Sequence, residues 1–430
     1  MKTLLKNVTL LPEYGFGPEK LHVQIEDRRI RSITKELPAD LSSATVVECN
    51  GNLLIPAFYN THCHAAMTLF RGYGEDLPLQ RWLEERIFPA EDRLTHRSVL
   101  VGTRLAIAEM LRNGIASFSD MYMFEDAVAE AVLESGIKAN LSRSFVSFDP
   151  DMDIKKDFRF AEFLSLADEY RNADDGRIKV DLSLHAEYTN VPRVCRDVAA
   201  YAKEHGYGMQ IHLSETEKEH NECIGRHGKT PTAFFRDTGI LDVPVTAAHC
   251  VWVTDDDIAI LAEKKVSVSH NPVSNLKLGS GVMPLRKMLN AGVNVTLGTD
   301  GVASNNRLDL LREMQTAAIL HKGTSRDPAI TTAGEMLALA TQNGALAQGR
   351  PDCGRIAEGN RADLVLIDRS ALHNMPCYDD YAMLAYSADR SDVLFTMVDG
   401  HILYQNGAYT SIDEERLRFE SREVFAHYFD

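Results

Sequence analysis

The chain has no Cys-x-x-Cys pair and no regular cysteine spacing. Its seven cysteines, at 49, 63, 195, 223, 250, 353 and 377, are odd in number and scattered. That pattern suits reduced thiols in a cytosolic protein better than a disulfide framework. No apolar run approaches the length of a membrane span. The segment beginning at Met1 lacks an apolar core and a small-residue cleavage site, so it reads as a first strand and the expectation is a cytoplasmic protein. Basic charge is also scarce. With 46 Lys and Arg against 62 Asp and Glu, the formal charge is −16, which disfavours nucleic acid as the main partner. It leaves a small neutral or cationic substrate open, and a homo-oligomer too. Several chemical signatures are missing as well. No Gly-x-Ser-x-Gly elbow supports a serine hydrolase. "GSGVMP" lacks the strand and helix context of a phosphate loop. "HAE" at His185–Glu187 lacks the Pro-Cys-x-x-Cys partner of a zinc cytidine deaminase. Fixed short repeats and low-complexity segments are absent.

What is present is an ordinary globular composition, 44% hydrophobic and 25% charged over 430 residues. Residues 1–55 read as short β-branched runs between turns, such as "LLKNVTLLP" and "TVVECNGNLLIP". From residue 56 to about 345, helical stretches alternate with short apolar strands, the rhythm of βα units and a parallel sheet. Eight such strands can be counted, so the expected fold is α/β: a (β/α)8 barrel. Residues 346–430 return to β and end in a helix. They are expected to join residues 1–55 in one small β-sandwich, because chain termini often lie close together.

The polar residues of the barrel segment concentrate at strand ends: His62 and His64, Arg143, His185, His212, His249, His270 and Asp300. In a parallel barrel those ends meet at one mouth. On a strand, residues two apart face the same way, so His62 and His64 can share one cation while Cys63 points elsewhere. Alone, the pair also fits two hydrogen-bonded histidines at a strand end. Several candidates arriving at one rim are harder to explain that way, because burying unpaired polar groups is costly. His62, His64, His212 and Asp300 are the expected ligands of one divalent metal, zinc first and iron second. A metal there would lower the pKa of water toward neutrality. Glu215, in "HLSET", is placed to reach over the metal as a proton shuttle. The competing reading is a solvated loop acid in the charged run "SETEKEHNE". His220 and His227 are assigned to that charged surface.

The motifs "NTHCHAAMTLFRG", "HLSET", "AAHC", "SHNPVSNLKLGSG", "LGTDGVASNN" and "GRIAEGNRADLVLID" together resemble the metal-dependent amidohydrolase superfamily. Within it they are most similar to the methylthioadenosine/S-adenosylhomocysteine deaminases. The resemblance implies one metal on His62, His64, His212 and Asp300, since the fourth strand ends in His185 and not in a lysine. It implies that His249 orients the water. Trp82 and Glu91 match substrate positions, Glu91 gripping ribose hydroxyls, and Arg143 and His185 match further contacts. Glu215 and His270 complete the expected substrate-binding set. The implied reaction is hydrolytic deamination of an adenosine-like nucleoside: Asp300 takes a proton from water, Glu215 protonates the ring nitrogen, and His249 steadies the oxyanion. The alternative is an aminohydrolase or chlorohydrolase of a triazine, guanine or pterin, which has little use for Glu91. Two departures stand out. Glu187 replaces a family proline, and only Lys155 or Lys156 lies where a second arginine is expected. Both bear on the end of the pocket that takes the ribose substituent.

Overall fold

The computed structural model describes residues 2–15, 20–38, 41 and 44–428. The outermost limits expected for the first and last segments, residues 1 and 430, lie outside them.

Strands β1 (Lys2–Val8), β2 (Leu21–Glu26), β3 (Arg29–Thr34) and β4 (Ala44–Glu48) form one sheet in the order β3-β2-β1-β4. Strand β5 (Leu53–Pro56) leaves it for a second sheet. The chain then enters the barrel with β6 (Phe58–Cys63), β7 (Ile115–Tyr122), β8 (Lys138–Phe145), β9 (Ile178–Val180), β10 (Leu182–Leu184), β11 (Met209–Leu213), β12 (Val245–His249), β13 (Ser267–His270) and β14 (Asn294–Leu297). The short β9 and β10 flank Asp181 and act as one interrupted strand, so eight positions run in sequence from β6 to β14. Every pairing among them is parallel.

The seam between β14 and β6 is tied largely by side chains. The Thr61 hydroxyl donates to the Leu297 carbonyl (2.9 Å) and lies 2.6 Å from the Thr296 hydroxyl. The Asn60 amide donates to Thr299 Oγ1 at 2.7 Å and accepts its N–H at 3.0 Å. The Asp300 N–H donates to the His62 carbonyl at 2.9 Å. The seam thus sets the first and last strand ends side by side.

Helices α1 (His96–Arg112), α2 (Glu125–Ser135), α3 (Phe158–Tyr170), α4 (Pro192–His205), α5 (Glu217–His227), α6 (Asp255–Glu263), α7 (Leu285–Asn290) and α8 (Leu310–Ser325) cover the strands. Their apolar faces and the strands share one core, with Phe118, Leu141, Phe163, Ile211 and Val268 fully enclosed. The capping boxes at Thr95 and Thr254 start α1 and α6 where the sequence offers a hydroxyl before a helical run.

After the barrel, β15 (Leu364–Ile367), β16 (Val393–Val398), β17 (His401–Gln405) and β18 (Ala408–Tyr409) complete the second sheet, β15 pairing antiparallel with β5. The two terminal sheets enclose a core of their own around Leu5, Val23, Leu54, Leu366 and Phe395. Helix α9 (Glu414–Tyr428) packs back on α1. A buried charge cluster holds the barrel floor to the second sheet. Lys138, 1% exposed at the start of β8, meets Asp363 at 2.5 Å and Asp399 at 2.7 Å. The Tyr59 hydroxyl donates to the same Asp363 at 2.5 Å. Among the described residues, no helix is long and apolar enough to cross a membrane.

Candidate active site

Four histidine rings meet at the C-terminal mouth of the barrel. His62 lies 4.9 Å from His64, 4.8 Å from His212 and 5.4 Å from His249, centroid to centroid. Backbone and amide oxygens fix three of the rings. His64 Nδ1 is 2.7 Å from the Met121 carbonyl, and His212 Nδ1 is 2.7 Å from the His185 carbonyl. His249 Nδ1 is 2.8 Å from Asn275 Oδ1. These oxygens only accept, so each Nδ1 carries a hydrogen and each Nε2 is the atom left to face the cluster.

Asp300 joins them from the last strand end. Its Oδ1 lies 3.5 Å from His62 Nε2 and 3.3 Å from His64 Nε2, and accepts the Gly301 N–H at 2.8 Å. Its Oδ2 accepts the hydroxyls of Ser274 (2.6 Å) and Ser304 (2.9 Å). Asp300 has φ 60° and His249 φ 72°, left-handed conformations that L-residues rarely adopt. They turn the chain sharply as each strand ends. Gly298 just before Asp300 has no room for a side chain. A Cβ there would stand 2.4 Å from both Asn271 Oδ1 and Ser269 Oγ, and 3.0 Å from His62 Cβ.

These residues fit a divalent metal. His62 Nε2 is buried and makes no hydrogen bond, a costly state for a lone pair unless a cation takes it. Donor atoms of His62, His64 and Asp300 lie within 4.8 Å of one another, as do those of His62, His212 and His249. Burial pushes His62 down to about 4, against the pull of nearby Asp300, and burial with neighbouring imidazoles holds His212 well below the usual range. Neutral imidazoles are the form that ligates. Burial lowers His64 too, but the Asp300 carboxylate outweighs it and raises His64 to about 9. A proton is thus drawn to the gap between that ring and Asp300, where a cation would sit. The same histidines, after opposing burial, hold Asp300 well below the ordinary carboxylate range.

Glu215 stands beside this centre. Its Oε2 is 4.0 Å from His249 Nε2, and its Oε1 accepts the Ser280 hydroxyl at 3.1 Å. The loop that carries it is pinned by Glu219, whose carboxylate accepts the N–H of Ser214 (2.8 Å) and of Glu215 (2.7 Å). Glu215 is buried beside the histidine cluster, and that burial raises its carboxyl, so it is no solvated loop acid.

The remaining expected residues divide. The His185 ring sits 4.8 Å from His212 and is pushed down to about 4 by burial and the other imidazoles. Burial raises Glu91 to about 7, while Tyr122 and His64 favour its ionised form. Trp82 is buried in the barrel core. One expectation needs correction. His270 points out of the barrel, its Nε2 3.1 Å from His321 Nε2 on α8, because Ser269 takes the inward place beside Thr61 and alternation turns His270 away. Arg143, buried at the end of β8, pairs with Glu162 on α3 at 2.5 Å and donates to the Ser144 carbonyl at 3.0 Å.

The surface assignment of His220 also fails: it is buried, with Nδ1 3.3 Å from Ser214 Oγ. His227 is partly exposed, with Nε2 2.8 Å from Glu187. Glu187 itself is buried and bound by Arg226 at 2.7 Å, which accounts for a carboxylate where the family has proline. Lys155 and Lys156 lie in an exposed turn. Sequence reasoning missed Asn275, Ser274, Ser304, Glu219 and Ser280. The first two lie in "SHNPVSN", four and five residues after His270, where a helix begins and returns toward the mouth.

A model of the amidohydrolase family matches residues 53–403. The chain is similar to a 5-methylthioadenosine/S-adenosylhomocysteine deaminase of Moorella thermoacetica, 43% identical over 419 residues and covering 97% of each chain. It is similar to a 5'-deoxyadenosine deaminase of Methanosarcina mazei, 43% identical over 431 residues, covering 98% of this chain and 97% of that one. It also resembles the zinc-bound structure of an adenosine deaminase from Xanthomonas campestris, with a TM-score of 0.92 at 31% identity, over 99% of this chain and 98% of that one. The match spans the barrel, the strand ends that bear the histidines and most of the second terminal sheet, and on it the chain belongs to the amidohydrolase family.

Proposed function

We propose that the protein is a metal-dependent hydrolytic deaminase of adenosine-like nucleosides: methylthioadenosine, S-adenosylhomocysteine, adenosine or 5'-deoxyadenosine. The observation that carries this reading is the meeting, at one mouth, of a cation-seeking His/Asp set with a buried glutamic acid 4.0 Å from His249. The two deaminase relatives and the adenosine deaminase structure support the substrate class.

His62, His64, His212 and Asp300 would hold the ion, zinc in the first instance because the matched adenosine deaminase binds zinc. When bound, a divalent ion supplies Lewis acidity that brings water ionisation near neutral pH. The chain's own groups do the rest. His249, with its hydrogen on Nδ1, accepts a hydrogen bond from the attacking water at Nε2. It becomes a donor to the developing oxyanion only on protonation. Asp300 accepts a proton as water adds to the amino-bearing ring carbon. Glu215, whose burial favours the proton, gives that proton to the adjacent ring nitrogen. The amino group takes the proton held by Asp300 and leaves as ammonia as the C–N bond breaks, while the added hydroxyl returns its proton to Glu215 and becomes the product's carbonyl. Glu91 accepts two ribose hydroxyls, the contact that distinguishes a nucleoside from a bare heterocycle.

The test is ammonia release from the four nucleosides by zinc-loaded protein, with guanine and a triazine as controls. Release from at least one nucleoside and none from the controls is expected. Silence on all four would refute the purine-nucleoside assignment. A chelator should abolish the release and added zinc should restore it.

A further inference from the structure

The segment Gly279-Ser280-Gly281 matches no phosphate-binding context, yet its geometry is specific. Ser280 is 4% exposed. Its N–H donates to the Asn275 carbonyl at 2.8 Å, and its own carbonyl accepts the Trp252 indole N–H at 2.7 Å. Gly281 has φ 125°, and a Cβ there would stand 2.9 Å from Val251 Cγ1 and 3.5 Å from Trp252 Nε1. Val251 and Trp252 in turn donate their N–H groups to the Ser214 carbonyl, at 3.0 and 2.9 Å, next to Glu215. The loop after β13 and the loop after β11 are therefore locked together through Trp252. The outcome is one contact: the Ser280 hydroxyl on Glu215 Oε1.

We infer that Ser280 is a positioning residue for proton transfer, fixing the Glu215 carboxyl so that Oε1 is engaged and Oε2 carries the mobile proton. This rests on the deaminase reading. The two oxygens of Glu215 are chemically alike, and only their partners distinguish them. Oε2 faces His249 Nε2, and so faces the reacting centre. Without the Ser280 hydroxyl the carboxyl rotates, and the proton spends part of its time on the oxygen that points into the loop. Ser280 acts through Glu215, so its loss is expected in turnover rather than in binding.

The experiment compares Ser280→Ala, Ser280→Thr and Trp252→Phe with wild type, using whichever nucleoside wild type deaminates best. Steady-state rates are read together with bound metal by elemental analysis. A lost hydrogen bond to an ionisable group predicts a kcat about tenfold lower for Ser280→Ala. KM should stay within about twofold and metal content should match wild type. Ser280→Thr keeps the hydroxyl and should recover most of kcat. Trp252→Phe loosens the anchor and should fall between. Wild-type kcat in Ser280→Ala, a loss confined to KM, a loss of metal, or Ser280→Thr as slow as Ser280→Ala would each overturn the inference. Because wild type must first release ammonia, failure of the deaminase reading is seen separately.

Discussion

In the proposed reaction two carboxyls, the buried Glu215 and the half-buried Glu91, need opposite protonation states. Glu215 must donate, and its burial favours the proton. Replacing it by Gln keeps the shape and removes the exchangeable proton. Glu215→Gln should keep its metal and lose at least about a thousandfold in kcat, measured as ammonia release. Glu91 must accept ribose hydroxyls, so its carboxylate is the working form. Burial raises it to about 7, so its protonated fraction grows as pH falls below that value. KM for a nucleoside should therefore rise on going from pH 8 to about 6, and Glu91→Gln should flatten that rise. A KM flat over this range in wild type would count against the ribose contact. At this scale the sequence was legible where a residue type and its strand position agreed. His62, His64, His212, His249 and Asp300 are polar side chains closing apolar runs. His270 has the same look, but Val268 shares its face, and that parity turns it toward α8. Ser280 and Asn275 gave no signal, because a serine or an asparagine in a loop has many uses.

The loop after β14 owes its shape to close backbone approach. Between β14 and Asp300, Gly298 passes so near Asn271, Ser269 and His62 that no methyl group fits. Gly298→Ala should destabilise the fold by about 1–3 kcal/mol, the usual cost of overpacking. It should also lower metal content in proportion to activity, since His62 and Asp300 flank the site of the clash. Denaturant unfolding and elemental analysis check the two effects separately. The elements themselves were readable from the alternation of apolar strands and helices, because each strand buries both faces and each helix one. The interruption at Asp181 was not visible. Its carboxylate is bound by the Asn140 and Gln210 amides from neighbouring strands, a tertiary arrangement that no local pattern encodes.

The molecule as a whole is closed at its floor by Lys138 and its carboxylates. Removing one member of a buried ion cluster typically costs about 3–5 kcal/mol, because the others are left uncompensated. Lys138→Met should lose stability on that order in denaturant, while the folded fraction keeps its kcat, since the cluster sits at the strand starts, opposite the mouth. The return of residues after 345 to β was legible from composition. The pairing of Lys138 with Asp363 was not, because nothing local links positions 225 residues apart. That separation also fixes an order in time. A ribosome delivers the ammonium group first and Asp363, the earlier of its two counter-ions, 225 residues later, roughly 10–45 s at 5–20 residues per second. Until then the ammonium group lacks the carboxylates it meets in the folded molecule, so the joint between barrel floor and second sheet can close only after residue 363 has been made.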